Sequence, residues 1–100
     1  MWTKVAKTSD LSEGQGKTVI AAQKEVALFM YKGKFCALDN TCPHSGGPLG
    51  EGHLDDGEVI CPWHAWPFDV TTGRSRFVPG EADVRTYPVK VEGGEVLIDV

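Results

Sequence analysis

The 100-residue chain is long enough for one domain with one core. Its 41% hydrophobic and 24% charged residues match a soluble globular protein, and its net charge of −4 argues against nucleic acid or an anionic membrane as partner. No apolar run reaches the roughly 18–20 residues that span a bilayer, the N-terminal residues carry no apolar export core, and three cysteines suit no closed disulfide framework, so a cytoplasmic protein whose Cys and His bind metal is expected.

Twelve glycines and six prolines predict a turn-rich fold, and helical periodicity is poor throughout. Lys17–Gln23 is the one helix candidate, and Thr18-Val19-Ile20 within it reads equally well as strand. Val26–Tyr31 is a short apolar run, Lys32-Gly33-Lys34 a turn and Phe35–Leu38 a second strand, which together predict a hairpin. Asn40 to Gly57 is predicted to be irregular, with Pro43, Gly46, Gly47, Pro48, Gly50 and Gly52 and little that suits a strand. So long an irregular stretch in a compact domain is usually functional or disordered. Because it starts with Cys42-Pro43-His44, it is predicted to be ordered by a ligand.

Glu58–Cys61 and Phe68-Asp69-Val70 are predicted strands, the second closed by Thr71-Thr72-Gly73. Tyr87–Val91 and Glu95–Val100 alternate about a turn at Glu92-Gly93-Gly94. Several short strands separated by turn signals predict a small all-β sandwich or barrel.

The metal-binding pattern is Cys42-x-His44 and, after sixteen residues, Cys61-x-x-His64. Each motif places one thiolate and one imidazole on a single tight loop, so two loops can present four ligands to a small inorganic centre. Cys and His suit iron and zinc alike, and a structural Cys2His2 zinc site is the plain alternative. The residues between the ligands favour a [2Fe–2S] cluster. Gly46, Gly47 and Gly50 let backbone N–H groups approach bridging sulfides. Pro43 and Pro62 stiffen the loops after each cysteine, and Trp63, Trp66, Pro67 and Phe68 can wall off one side.

Cys42-Pro43-His44-Ser45-Gly46-Gly47-Pro48-Leu49-Gly50-Glu51-Gly52 and Cys61-Pro62-Trp63-His64-Ala65-Trp66-Pro67-Phe68-Asp69-Val70-Thr71-Thr72-Gly73 resemble the two cluster-binding loops of Rieske proteins. Tyr87–Val100 is similar to the family's closing strands. The resemblance implies a single domain over 1–100 with the Rieske fold, a small antiparallel β-sandwich or barrel base carrying a cluster-binding subdomain at about 40–79. It implies one [2Fe–2S] cluster per chain, with Cys42 and Cys61 on the inner iron and His44 and His64 on the outer one.

High-potential members of the family join the loops by a disulfide and place Ser and Tyr hydroxyls against the cluster sulfurs. The matching positions here are Gly47 and Trp63 for the disulfide, and Trp66 and Phe68 for the hydroxyls, which implies a low reduction potential. The pattern resembles the soluble ferredoxins that feed aromatic-ring dioxygenases, and the small subunit of NADH-dependent nitrite reductase. The function implied is one-electron transfer from a flavin-dependent reductase to a terminal oxygenase or reductase, in the cytoplasm. No self-contained catalysis is implied, because His53 is the only other histidine.

Four further residues carry expectations. Many family members have Gly where this chain has Ala65; if the position needs φ > 0, Ala costs roughly 1 kcal/mol there, and otherwise, as is expected, Ala is tolerated. Cys36 is expected to be a buried structural thiol and His53 a solvated side chain in a polar turn. Pro79 is similar in position to a loop that covers the cluster in the family, and a simple turn fits it equally well.

Overall fold

The computed structural model describes residues 1–100. Ten strands follow in chain order: β1 (Trp2–Lys7), β2 (Gly16–Ala21), β3 (Lys24–Tyr31), β4 (Lys34–Asp39), β5 (His53–Asp55), β6 (Glu58–Ile60), β7 (Pro67–Asp69), β8 (Thr86–Tyr87), β9 (Val89–Glu92) and β10 (Glu95–Asp99). Short 3-10 turns lie at Thr8–Asp10 and Leu49–Glu51. The strands form three antiparallel sheets, ordered β1-β10-β9, β2-β3-β4-β8 and β5-β6-β7. The all-β expectation holds, and the ambiguous Lys17–Gln23 stretch is mostly strand. No helix is long and apolar enough to cross a membrane.

β3 explains how the sheets are layered. Val26, Ala27, Leu28 and Phe29 are all fully buried. Alternate residues of a strand point to opposite faces. Val26 and Leu28 join one core with Ala6, Val96 and Ile98, whereas Ala27 and Phe29 join a second core with Leu49, Val59, Phe68 and Val70. The strand therefore lies between two cores, which is why its sequence is an unbroken apolar run and not an alternating one. The second core also contains Cys42 and Cys61, so the candidate ligands are anchored in the packing that joins the small β5-β6-β7 sheet to the base.

The β3–β4 hairpin turns on two residues, Lys32 and Gly33, with φ of +52° and +77°, and Tyr31 pairs with Lys34. Both central residues are left-handed, as the right-handed twist of the flanking strands demands. Lys34 therefore begins β4 and is not part of the turn.

Three elements depart from the sequence-based expectation. β1 had no predicted counterpart; it pairs with β10 across a register shift between Lys4 and Ala6. β5 interrupts the stretch predicted to be irregular. It pairs with β6 around Asp56 and Gly57, at φ of +49° and +83°, so its outward polar residues are held by ladder hydrogen bonds, with burial playing little part. Finally, the predicted strand Tyr87–Val91 divides at Pro88. Tyr87 pairs with Ala37 in one sheet and Val89 with Ile98 in another. Pro88 has no N–H to continue a ladder, and the chain changes sheets there.

Candidate metal centre

Both candidate loops are hairpin ends of the same length. The first runs from Cys42 to Gly47 and is closed by the Thr41–Pro48 bridge. The second runs from Cys61 to Trp66 and is closed by the Ile60–Pro67 pair. Their backbones match bond for bond. The Cys42 N–H donates to the Gly47 carbonyl (2.9 Å) and the Gly46 N–H to the Cys42 carbonyl (2.7 Å). In the second loop the Cys61 N–H donates to the Trp66 carbonyl (3.0 Å) and the Ala65 N–H to the Cys61 carbonyl (2.9 Å). Proline follows the cysteine in each. The motifs differ only in where the histidine stands on this shared frame, two residues after Cys42 and three after Cys61.

The frame requires a left-handed residue four positions after each cysteine. Gly46 takes φ +77° and Ala65 φ +59°. Ala65 is therefore in the conformation that disfavours a side chain: of the two readings of this position, the one in which φ > 0 is needed and alanine sits there at a local cost is the one the loop adopts.

The first loop is tied to the base by Asn40, a buried polar residue. Its carbonyl accepts the Leu49 N–H (2.7 Å), and its side-chain oxygen accepts the Gly50 N–H (2.8 Å) and the Thr18 hydroxyl (3.1 Å). This also corrects the reading of Gly50. Its N–H serves Asn40 and not a sulfur site, and a Cβ there would lie 2.4 Å from Thr18 Oγ1. Gly47 does lie at the site, because a Cβ on it would be 2.8 Å from Cys61 Sγ and 3.0 Å from Trp63 Cγ.

The four candidate ligands fall into two pairs. Cys42 and Cys61 are each 1% exposed, and their thiols are within hydrogen-bonding reach. His44 and His64 are exposed, with ring centroids 5.3 Å apart. No three His, Cys, Asp or Glu side chains close around one ion position. A [2Fe–2S] cluster spreads its four ligands over two irons, and in its His-ligated type two thiolates hold one iron and two imidazoles the other; this donor set fits that arrangement better than a single tetrahedral Zn2+.

Burial pushes the Cys61 thiol up, but hydrogen bonds from the Ser45 side chain, the Trp63 and His64 N–H groups and Cys42 outweigh it, leaving the thiol below its usual value. The chain thus favours the thiolate, the form that binds metal.

The two tryptophans play different parts. Trp66 stacks flat on His44, with centroids 3.9 Å apart and planes within 7°. Phe77 meets Trp66 edge-on at 5.2 Å. Trp63 is 60% exposed. The loop that reaches the site does so through Phe77, while Pro79 is exposed. That loop is built on two short side chains. Ser75 Oγ accepts the N–H groups of Phe77 (3.2 Å) and Val78 (3.1 Å), and the Asp83 carboxylate accepts those of Ser75 (2.9 Å) and Gly80 (3.0 Å). Arg76 adds ion pairs to Glu58 (2.7 Å) and Asp69 (3.1 Å).

Sequence reasoning missed Ser45, Phe77, Ser75 and Asp83, because nothing in their local pattern marks them before the loops are folded together. Cys36 stands in β4 opposite Phe29. It is half-buried, not fully buried as expected, and burial followed by the Asp69 charge pushes its thiol up. His53 is exposed, as expected, but it opens β5 opposite Ile60 and does not lie in a turn.

Residues 1–88 match the Rieske [2Fe-2S] domain. The chain belongs to the Rieske family. Members hold a [2Fe–2S] cluster, and the paired donors described above fit that group. This Rieske chain is 37% identical over 99 residues to the ferredoxin component of the naphthalene 1,2-dioxygenase system of Pseudomonas putida, covering 99% of this chain and 95% of the relative. Among solved structures it is similar to a chain in the complex of reduced oxygenase and oxidized ferredoxin of carbazole 1,9a-dioxygenase, with TM-score 0.86 and 29% identity over 97% of this chain and 100% of that one. It is also similar to a Mycobacterium tuberculosis protein described as an NADH-dependent nitrite reductase small subunit, with TM-score 0.89 and 26% identity over 98% and 93% of the two chains.

Proposed function

We propose that this Rieske protein binds one [2Fe–2S] cluster per chain and carries single electrons from a flavin-dependent reductase to a terminal, ring-hydroxylating oxygenase. Cys42 and Cys61 would hold the inner iron, and His44 and His64 the outer one. The observation that carries the reading is the sorting of donors by depth: two thiols buried in the second core and two imidazoles exposed at the tip. In this reading a cluster-binding subdomain at about 40–79 sits within a single domain over 1–100. We place it in the reducing cytoplasm, where free thiols persist.

When bound, the cluster takes up and gives back one electron. The residues of this chain do the rest. The second core keeps water from the Cys42 and Cys61 sulfurs. The exposed edges of His44 and His64 present N–H groups to whatever docks there, which makes the tip the short route for an electron. Trp66 covers one face of His44 and fixes its plane. The likeness to a chain named as the ferredoxin component of a dioxygenase system supports a carrier whose chemistry belongs to the acceptor. Interfaces for such a carrier are small and transient.

A second reading, an accessory subunit of a nitrite reductase, is favoured by the likeness to the M. tuberculosis structure. One set of experiments separates the readings. Purified protein should be red-brown, hold two irons and two sulfides, and turn over repeatedly between a flavin reductase and an oxygenase. A colourless protein with stoichiometric zinc overturns the cluster. Stable co-elution with a large reductase, with no transfer to an oxygenase, selects the subunit reading.

A further inference from the structure

Ser45 and Cys61 belong to different loops, yet Ser45 Oγ lies 3.4 Å from Cys61 Sγ. The same oxygen accepts the Gly47 N–H at 3.4 Å, which engages a lone pair and leaves the hydroxyl proton for the sulfur. With Cys61 bound to metal, its thiolate only accepts hydrogen bonds, and Ser45 is then the donor. The Trp63 and His64 N–H groups also reach this sulfur, but they are backbone of its own loop. Cys42, also within reach, has no proton to give once it is itself a ligand. That leaves Ser45 as the one side chain that gives the Cys61 sulfur a proton to share.

We propose that Ser45 is a positioning residue for the redox site, whose hydroxyl bond to the Cys61 thiolate raises the reduction potential. It does from the first loop what Trp66 and Phe68, without suitable hydroxyls, do not do from the second. The inference rests on Cys61 being a cluster ligand. One electron, from the reductase or from dithionite in a titration, adds one negative charge at the site, and part of it falls on Cys61 Sγ. The O–H···S bond strengthens, no covalent bond forms or breaks, and the proton stays on Ser45 Oγ. A bond that is stronger in the reduced form shifts the equilibrium toward reduction.

The test compares Ser45→Thr, which keeps a hydroxyl, with Ser45→Val, its near-isostere without one, and with Ser45→Ala. All are measured as cluster-loaded protein by film voltammetry at fixed pH. The Thr variant should keep the parent potential. The Val and Ala variants should lose about tenfold in the reduction equilibrium, about 59 mV for one electron. If Val fails to load its cluster, Ala supplies the same comparison. Red-brown Thr and hydroxyl-free variants that share one potential overturn the role of Ser45 and leave the cluster reading intact. Colourless, zinc-loaded parent protein overturns the cluster reading itself.

Discussion

Ala65 stands at the same point of its loop as Gly46 does in the other. Both take left-handed backbone, φ +59° and +77°, and each N–H closes on the carbonyl of the cysteine four residues before it. A side chain in this conformation costs roughly 1–2 kcal/mol, and glycine returns part of that through its freer unfolded chain. Ala65→Gly should therefore stabilise the loaded protein by about 1 kcal/mol, or roughly 4–8 °C in Tm for a domain of this size. Gly46→Ala, where a Cβ meets open space, should cost about the same for the backbone reason alone. Thermal unfolding of the two single variants checks both signs.

Gly47 differs from its neighbour Gly46. A Cβ at Gly47 would press on Cys61 Sγ at 2.8 Å and Trp63 Cγ at 3.0 Å, and Cys61 is locked in the second core. Gly47→Ala should lower iron content well below that of Gly46→Ala at equal folded yield. Iron and sulfide assays on the two purified variants make the comparison, and equal loading would count against the placement of Gly47.

The Trp66 stack on His44 and its edge contact with Phe77 are two aromatic pairs, each worth about 0.5–1.5 kcal/mol. Trp66→Ala should shorten the lifetime of the visible chromophore in air by uncovering one face of His44. Trp66→Phe, which keeps a ring there, should recover most of it. Equal decay of all three proteins would show that the stack does not protect the site.

Acid should loosen the Ser75–Asp83 loop before the base melts. Hydrogen bonds from the Ser75 and Gly80 N–H groups hold the Asp83 carboxyl below its usual value. Burial pushes Asp69 up, but the Thr71 hydroxyl, the Thr71 and Thr72 N–H groups and Arg76 more than reverse it. A carboxyl lowered in the folded state adds stability above its unfolded value, about 3.9, and loses it as pH falls below that. The melting temperature should fall as the pH drops below about 4, and less steeply in Asp83→Asn than in the parent.

The midpoint potential should sit toward the low end of the Rieske range of about −150 to +300 mV. Gly47 and Trp63 cannot form a disulfide, and Trp66 and Phe68 lack the hydroxyls that stabilise a reduced cluster. The Ser45 donor raises the value without lifting it to the high-potential branch. A midpoint well above about 0 mV in a redox titration would contradict this.

The residues show why parts of the fold could be read in advance and parts could not. Lys32-Gly33 announces its turn through glycine. Ala22-Gln23 makes a left-handed turn of the same kind, at φ +50° and +68°, without glycine, asparagine or aspartate, and so Lys17–Gln23 stayed ambiguous between helix and strand. Asp56-Gly57 was a readable hairpin signal for β5, obscured by the glycines and prolines before it. Tyr87–Val91 alternates through Pro88 and reads as one strand; that the missing N–H ends one ladder there and moves the chain to another sheet shows only in the fold.

The sequence by itself determined the chemistry of the site. Two Cys/His motifs with their prolines and glycines limit the choice to a few metals, and ligand type and loop stiffness are local properties. Tertiary structure alone decided the arrangement: that both loops share one backbone frame, that Ala65 must take glycine's conformation, and that Trp66 faces His44. Above all, it brought Ser45 of the first loop to the sulfur of Cys61 in the second. Ser45 and Cys61 are sixteen positions apart, and their contact depends on the second core, which packs Cys42 and Cys61 against one face of β3; no local pattern encodes that.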